Sequence, residues 1–386
     1  MKILMISPQF KPLVGGYERA CERLAVALAA RGNYVAVCTE QRDKAWPQEE
    51  EINGVEISRW WCLYRQKLHI ITSLLSFAGF LLRNGRRFNV WHVHQYGMHA
   101  ALAVAFGKML RRPVILKLTS SASMGLASAL SRGRFPKLLA SLHRRMDAII
   151  ALTRETASEA ADFGIPVGRI HVLGNGLDIE TYRPLDESER RSRKQQLKLD
   201  DSSIVIFVGR LSKEKNVTGL LNAWALARPR INGNWRLLVV GDGPLRPVLE
   251  EKAMALSQGV LFVGQQANIE DWLAVASIFA LPSDIEGLSN TMLEAMATGL
   301  PVVVTRVSGV EELIEDTGAG KVVSIGDMNA FAVALVELAN SGCDRSGMGA
   351  MGRKVVEDRF DIERVAAAYE KIYADLVGEN LIRMLK

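Results

Sequence analysis

Hydrophobic residues fall along the chain in two alternating rhythms. Short continuous runs rich in Val, Ile and Leu predict strands over residues 2–7, 35–39, 90–94, 114–118, 148–152 and 170–173. A second set follows at 204–208, 236–240, 260–263, 278–281 and 302–305. Between them, apolar positions recur at helical spacing; in 18–31, Ala20, Leu24, Ala27 and Leu28 share one face. This alternation predicts βαβ units and parallel sheets, and the continuous apolar runs predict strands covered on both faces. The two sets are separated by 186–201, a charged stretch that predicts a surface helix opening a second domain, with a linker just before it at 182–185. A Gly-rich stretch, 341–352, reads as a surface loop before the final helices.

Length agrees with this division, since 386 residues exceed one ordinary core and suit two. A hydrophobic content of 48% with no long low-complexity segment excludes a disordered or fibrous chain. The cysteines (Cys21, Cys38, Cys62, Cys343) are scattered and form no C-x-x-C, so they read as reduced cytosolic thiols, neither a disulfide framework nor a zinc site. The first residues enter a strand pattern with no basic and then apolar leader, which predicts a cytoplasmic protein. The longest apolar stretch, 68–82, is short for a membrane span and reads as a helix of the first domain.

Net charge is +6, but residues 1–180 carry 24 Lys and Arg against 14 Asp and Glu, leaving 24 against 28 for the rest. The basic half holds Arg83, Arg86 and Arg87, then Lys108, Arg111 and Arg112, then Arg132, Arg134, Lys137, Arg144 and Arg145. Such a face suits an anionic membrane surface or a phosphorylated acceptor, or is simply solvated. Nucleic acid is not expected, because the basic runs lack interleaved aromatics and no nucleic-acid-binding motif occurs.

Two segments carry candidate chemistry. The strand at 204–208 runs into Gly209-Arg210-Leu211-Ser212-Lys213-Glu214-Lys215-Asn216 and then a helical pattern. Ligands of open α/β sheets bind beyond the carboxyl ends of strands, so Arg210 and Lys215 are placed to hold a diphosphate, one as a planar fork and one as a point charge. The strand at 278–281 runs into Ser283-Asp284-Ile285-Glu286-Gly287-Leu288 and a helix beginning near Ser289. The first-turn N–H groups of that helix, around Ser289, Asn290 and Thr291, form a natural anion site. Glu294 on its second turn and Glu286 on the preceding loop are placed to accept hydrogen bonds from ribose and sugar hydroxyls.

The order Gly209-Arg210-Leu211…Lys215, Gly241-Asp242-Gly243-Pro244, Pro282-Ser283…Glu286-Gly287…Glu294-Ala295-Met296-Ala297-Thr298-Gly299-Leu300-Pro301 resembles glycosyltransferase family 4, the retaining group 1 glycosyl transferases. Gly15-Gly16, His92-Val93-His94, Asn175-Gly176-Leu177-Asp178 and the closing stretch 360–376 extend the resemblance over nearly the whole chain. It implies a GT-B fold: an α/β protein of two Rossmann-like domains facing across a cleft, with a C-terminal helix crossing back to the N-terminal domain. The domains are expected at 1–183 (acceptor side) and 184–359 (nucleotide-sugar donor), with 360–386 returning to the first.

The resemblance implies that Arg210 and Lys215 bind the donor diphosphate and stabilise the departing nucleotide. It assigns Glu294 to the donor ribose, Glu286 to the donor sugar, and Gly15 and Gly16 to close backbone approach. Asp242 is expected to shape its own turn. No D-x-D motif occurs, so no metal is expected at the leaving group; fixed cations and a helix N-terminus supply that charge instead. The His92-x-His94 pair lacks a nearby carboxylate and is not expected to bind a metal; His94 is expected to line the cleft, with His92 on the opposite face or in the core. One departure stands out: where many members carry a sugar-contacting histidine, this chain has Lys117-Leu118-Thr119-Ser120-Ser121, with Thr119 at the histidine's position. Retention in the family is explained by front-face attack assisted by the donor phosphate, which does not require that histidine. Lys117, Thr119 and Ser120 join His94 as acceptor-side and sugar-side candidates.

The expected activity is metal-independent retaining transfer from a UDP- or GDP-sugar, with no cofactor beyond that co-substrate. The expected acceptor is a hydroxyl of a lipid-linked or polysaccharide intermediate at the cytoplasmic membrane face. A non-hydrolysing sugar-nucleotide epimerase and a catalytically silent sugar-nucleotide binder are the alternatives.

Overall fold

In the computed structural model, which describes residues 1–13, 15–119, 135–256 and 259–385, strands and helices alternate through two separately packed units. The first comprises residues 1–176 and 362–386, the second residues 177–361. The chain crosses out and back at neighbouring points, where Leu177 N donates to Phe360 O at 2.7 Å. The crossing therefore precedes the expected linker at 182–185. Tyr182 is buried, and its carbonyl and those of Ile179 and Ala297 all accept from the Arg353 guanidinium, which fixes the segment within the second unit.

The first unit begins β1 (Lys2–Ile6), α1 (Gly16–Ala30), β2 (Tyr34–Gln41), β3 (Glu49–Ile52), β4 (Val55–Trp61), α2 (His69–Asn84), β5 (Val90–Val93) and α3 (Met98–Leu110). It continues β6 (Val114–Leu118), α4 (Pro136–His143), β7 (Ala148–Ala151), α5 (Arg154–Asp162) and β8 (Ile170–Val172). Its sheet order is β3-β4-β2-β1-β5-β6-β7-β8, parallel except for the antiparallel β3–β4 pair. Both sheet faces are buried, as the apolar runs require: Leu4 and Ile6 pack with Trp60, Phe77 and Trp91. Ile3 and Met5 pack on the other face with Cys21, Leu24 and Leu28 of α1. Strands β3 and β4 were not expected. They are joined by Asn53-Gly54, both at positive φ (52° and 77°), the two-residue turn that matches hairpin twist.

The second unit contains α6 (Glu187–Gln196), β9 (Ser203–Val208), α7 (Val217–Ala227), β10 (Trp235–Val240), α8 (Arg246–Leu256), β11 (Val260–Gly264) and α9 (Ile269–Ala274). It then runs β12 (Ile278–Leu281), α10 (Asn290–Ala297), β13 (Val302–Thr305), β14 (Gly320–Val323), α11 (Met328–Asn340) and α12 (Gly342–Arg359). Its sheet, β11-β10-β9-β12-β13-β14, is parallel throughout. Helix α6 is the expected surface helix, started by a reciprocal capping box between Asp186 and Glu189.

The Gly-rich stretch expected as a loop is instead the start of α12. Its glycines serve packing: a Cβ at Gly349 would lie 2.0 Å from the Gly299 carbonyl oxygen, and one at Gly352 would lie 3.5 Å from Met296. At Gly349 the helix can lie this close to the end of α10 only without a side chain, whereas the contact at Gly352 is an ordinary van der Waals one. The last helix, α13 (Ile362–Leu385), packs on α1 and β5 of the first unit and buries Tyr369 and Tyr373 in its core. Among the described residues, no helix is long and apolar enough to cross a membrane.

Candidate functional site

In the second sheet β9 lies between β10 and β12. From β9 the chain builds outward through β10 and β11, then returns to place β12, β13 and β14 on the other side. The loops after β9 and β12 therefore leave adjacent strand ends in opposite directions and open a crevice at the switch point. The two segments singled out in the sequence, 209–216 and 282–289, are these two loops.

Several contacts lock them together. Asp284 N donates to Glu214 O at 2.9 Å, and Asn216 Nδ2 donates to Asp284 Oδ1 at 3.0 Å. Asn216 also caps α7, accepting from Gly219 N at 3.1 Å. On this frame the Lys215 ammonium forms an ion pair with Glu286 Oε1, and the buried Ser283 hydroxyl donates to the same oxygen at 3.0 Å. Burial pushes the Glu214 carboxyl up, but the Ser212 hydroxyl, its own backbone and the nearby Lys215 and Arg210 charges hold it below its ordinary value. Arg210 is exposed on the same loop.

A neighbouring turn fixes that loop from behind. Leu211 N donates to Asp242 O at 2.9 Å, and a Cβ at Gly241 (φ 135°) would lie 1.9 Å from Gly209 O. Asp242 accepts from Gly243 N at 2.7 Å and pairs with Arg246 at 2.8 Å, so it shapes its turn. Ser289 is the N-cap of α10 and accepts from Met292 N at 3.3 Å; Asn290 and Thr291 form the first turn. Glu294, on the second turn, is buried. The structure thus gathers Lys215 with Glu286 and places Arg210 on the same loop as Lys215. Ser283, Asn216 and Asp284, which the motif left without roles, position them.

The first unit has a switch point of its own, at β1 and β5. Gly15 is the N-cap of α1, and the space a Cβ would fill is taken by the Glu18 carboxylate, 2.3 Å away; Gly16 begins the helix. His92 and His94 are both buried, with ring centroids 4.2 Å apart. Residues two apart on a strand share a face, so His94 goes into the core beside His92, whose Nδ1 meets Tyr373 Oη at 2.8 Å. Burial and the Lys117 charge hold both rings well below the ordinary imidazole range. Lys117 is itself buried, its ammonium 6.0 Å from the centre of the Tyr369 ring, and burial lowers it to about 8. Thr119, just past β6, is partly exposed, and Ser120 lies outside the described residues.

Two largely parallel sheets, the second with a cation and a carboxylate paired at its switch point, place this chain among α/β proteins that bind a ligand at strand ends. The family follows from direct comparison. Residues 14–181 match the model of Glycosyltransferase Family 4, and residues 202–341 that of Glycosyl transferases group 1. The chain is 30% identical over 247 residues, 63% of its length and 68% of the relative's, to the lipopolysaccharide core biosynthesis glycosyltransferase LpsE of Rhizobium meliloti. It is 27% identical, over 97% of both chains, to the lipopolysaccharide core biosynthesis mannosyltransferase LpsB of the same organism. Its fold matches Anabaena Alr3699/HepE, crystallised with UDP and glucose, at a TM-score of 0.79 and 18% identity, covering 97% of this chain and 100% of that one. The chain belongs to glycosyltransferase family 4 and is a glycosyltransferase of GT-B fold.

Proposed function

We propose that the protein transfers a sugar, with retention, from a nucleoside diphosphate sugar to a hydroxyl of a lipid-linked or polysaccharide intermediate in cell-surface glycan synthesis. The observation that carries the donor half is the contact between Lys215 and Glu286 at the switch point. In a sugar nucleotide the anomeric carbon is joined directly to the β-phosphate. A cation for that phosphate and a carboxylate for the sugar's hydroxyls must therefore be neighbours, as these two are. Arriving diphosphate takes over the Lys215 charge, and Glu286 then accepts from the sugar. As the anomeric bond breaks, negative charge grows on the departing nucleotide, and Arg210, Lys215 and the first turn of α10 oppose it without a metal ion. Glu294 serves the ribose.

Acceptor recognition is assigned to the first unit, at the ends of β1, β5 and β6, where Gly15, Gly16 and Thr119 lie. The same unit offers a membrane surface. Helix α2 exposes Ile70, Ile71, Leu75 and Leu82, with exposed Arg65 and Lys67 before it and Arg83 and Arg86 at its far end. An apolar helix face flanked by cations suits the cytoplasmic face of an anionic bilayer. The names of LpsB and LpsE, both of lipopolysaccharide core biosynthesis, support an acceptor held at such a surface.

The test is a thermal-shift panel of UDP-, GDP- and ADP-sugars, followed by product analysis with glycolipid acceptor extracts. One donor is expected to stabilise the protein and to yield a glycosylated product of retained configuration. An epimer formed from donor alone, or binding without transfer to any acceptor, overturns the reading. Leu75→Asp is expected to reduce co-sedimentation with anionic vesicles while leaving the donor shift intact.

A further inference from the structure

A second cluster of reactive side chains lies in the first unit and is used by none of the chemistry above. Glu40 stands near the end of β2, Cys62 directly follows β4, His69 is the first residue of α2, and His99 lies in the first turn of α3. One ligand atom from each of Glu40, Cys62 and His69 falls within 4.8 Å of the others. His69 Nε2 is 3.3 Å from Glu40 Oε1, and His99 Nε2 is 3.8 Å from that same oxygen. Glu40 and Cys62 are buried, and His69 Nε2 is a buried atom with no hydrogen-bond partner. The rings are held in place: Tyr64 meets His69 edge-on at 5.2 Å, and His99 sits 5.5 Å from both Trp60 and Phe77. The outer oxygen of Glu40 is held by Arg42 at 2.9 Å, and the Ser73 hydroxyl donates to Oε1 at 2.7 Å.

We infer that Glu40, Cys62, His69 and His99 form a binding site for a single divalent transition-metal ion of the zinc type. A thiol, two imidazoles and one carboxylate are the ligand kinds such an ion takes in four-coordinate sites, and the thiol selects against magnesium and calcium. Binding releases the Cys62 proton to solvent and forms a metal–thiolate bond, so the ion's two charges are balanced by the thiolate and Glu40. His99 Nε2 meets the Ser73 hydroxyl oxygen at 2.9 Å, and it takes up the ion by exchanging that contact, as the tautomer with its proton on Nδ1 and a lone pair on Nε2. The Arg42 contact and the Ser73 hydroxyl are the outer interactions that orient the carboxylate. The ion fastens the first turn of α2, the helix with the exposed apolar face, to the ends of β2 and β4.

The test uses the full chain, freed of metal by chelator dialysis and titrated with Co²⁺. One equivalent is expected to bind with a near-ultraviolet thiolate-to-cobalt absorption and visible bands of tetrahedral intensity, and Zn²⁺ is expected to displace it. Cys62→Ser removes the charge-transfer band. His69→Ala, at a partly exposed position, keeps the fold by circular dichroism but weakens binding by about tenfold or more. Cys343→Ser, which removes the exposed thiol, changes nothing. Absence of the charge-transfer band overturns the site, as does a band that survives Cys62→Ser and vanishes in Cys343→Ser. If Cys62→Ser does not fold, unchanged cobalt affinity in His69→Ala overturns it equally.

Discussion

Lys215 and Lys117 are the same side chain in two settings. Lys215 stands on a loop beyond the end of β9, its side chain 21% exposed, with its charge opposed by Glu286. Lys117 stands inside β6, packed over Tyr369 and beside two neutral histidines. A loop past a strand end can exchange a protein partner for a ligand, because the backbone is already satisfied and the side chain reaches solvent. A strand interior allows no such exchange, so there burial weakens the charge itself. On the proposed reading, recognition of an anionic donor falls to Lys215, and Lys117 is expected to bear on stability instead.

The largest expected effect tests that division directly. Arg210→Ala combined with Lys215→Ala is expected to lower donor turnover by roughly 10³–10⁴-fold, the scale of losing two charge-assisted contacts to a developing anion. Lys117→Met is expected to leave the donor KM unchanged. A comparable loss of donor affinity in Lys117→Met would place both lysines at the donor.

Next comes the pH dependence of stability. Burial lowers the folded-state value of Lys117 to about 8 from an ordinary 10.5. The unfolded chain therefore binds the proton more tightly, and stability rises with pH between about 8 and 10.5; below 8 the full penalty applies. Lys117→Met is expected to stabilise the protein at pH 7 by roughly 2–4 kcal/mol and to abolish its share of that rise. Urea denaturation of both proteins across pH 7–10.5 gives the difference, and parallel profiles would show that Lys117 is charged at no cost.

A smaller effect concerns the backbone that carries Arg210. Gly241→Ala would drive a methyl group into the Gly209 carbonyl at a positive φ, at an expected cost of about 1–3 kcal/mol. Because the displaced backbone carries Arg210, donor affinity should fall as well. Gly349→Ala meets a backbone oxygen equally closely, at the α10–α12 contact. It should cost similar stability in urea and, at temperatures where both variants are folded, less donor affinity.

These residues also mark how far the sequence could be read. The placement of Lys215 and Glu286 on adjacent strand-end loops, and of Glu294 on the helix that follows, was legible because short local motifs follow the strand ends, and parallel strands bounded by helices announce themselves by hydrophobic rhythm. The Ser341–Gly352 stretch misled because glycine serves a close helix contact there, and the partner residue Gly299 is far off in sequence. Strand β3 was hidden by its Glu-rich edge sequence, although Asn53-Gly54 was a readable hairpin signal. The Glu40, Cys62, His69 and His99 cluster has no spacing that local reading could find, since four separate elements contribute one residue each. The burial of His94 beside His92 was readable from strand periodicity alone.

The smallest effect concerns Ser283, whose hydroxyl reaches the Glu286 oxygen also held by Lys215. Its backbone is fixed separately, since Thr305 Oγ1 donates to Ser283 O, so Ser283→Ala removes one hydrogen bond without releasing the loop. That is worth about 1 kcal/mol, or roughly fivefold in turnover. Donor affinity should barely change, because Arg210 and Lys215 remain, and the loss should fall on kcat through a less constrained Glu286. Glu286→Gln, which removes the charge and keeps the shape, is expected to cost more than Ser283→Ala. Equal losses in the two variants would mean that the hydroxyl meets the sugar itself, and Ser283 would then join the residues that touch the donor.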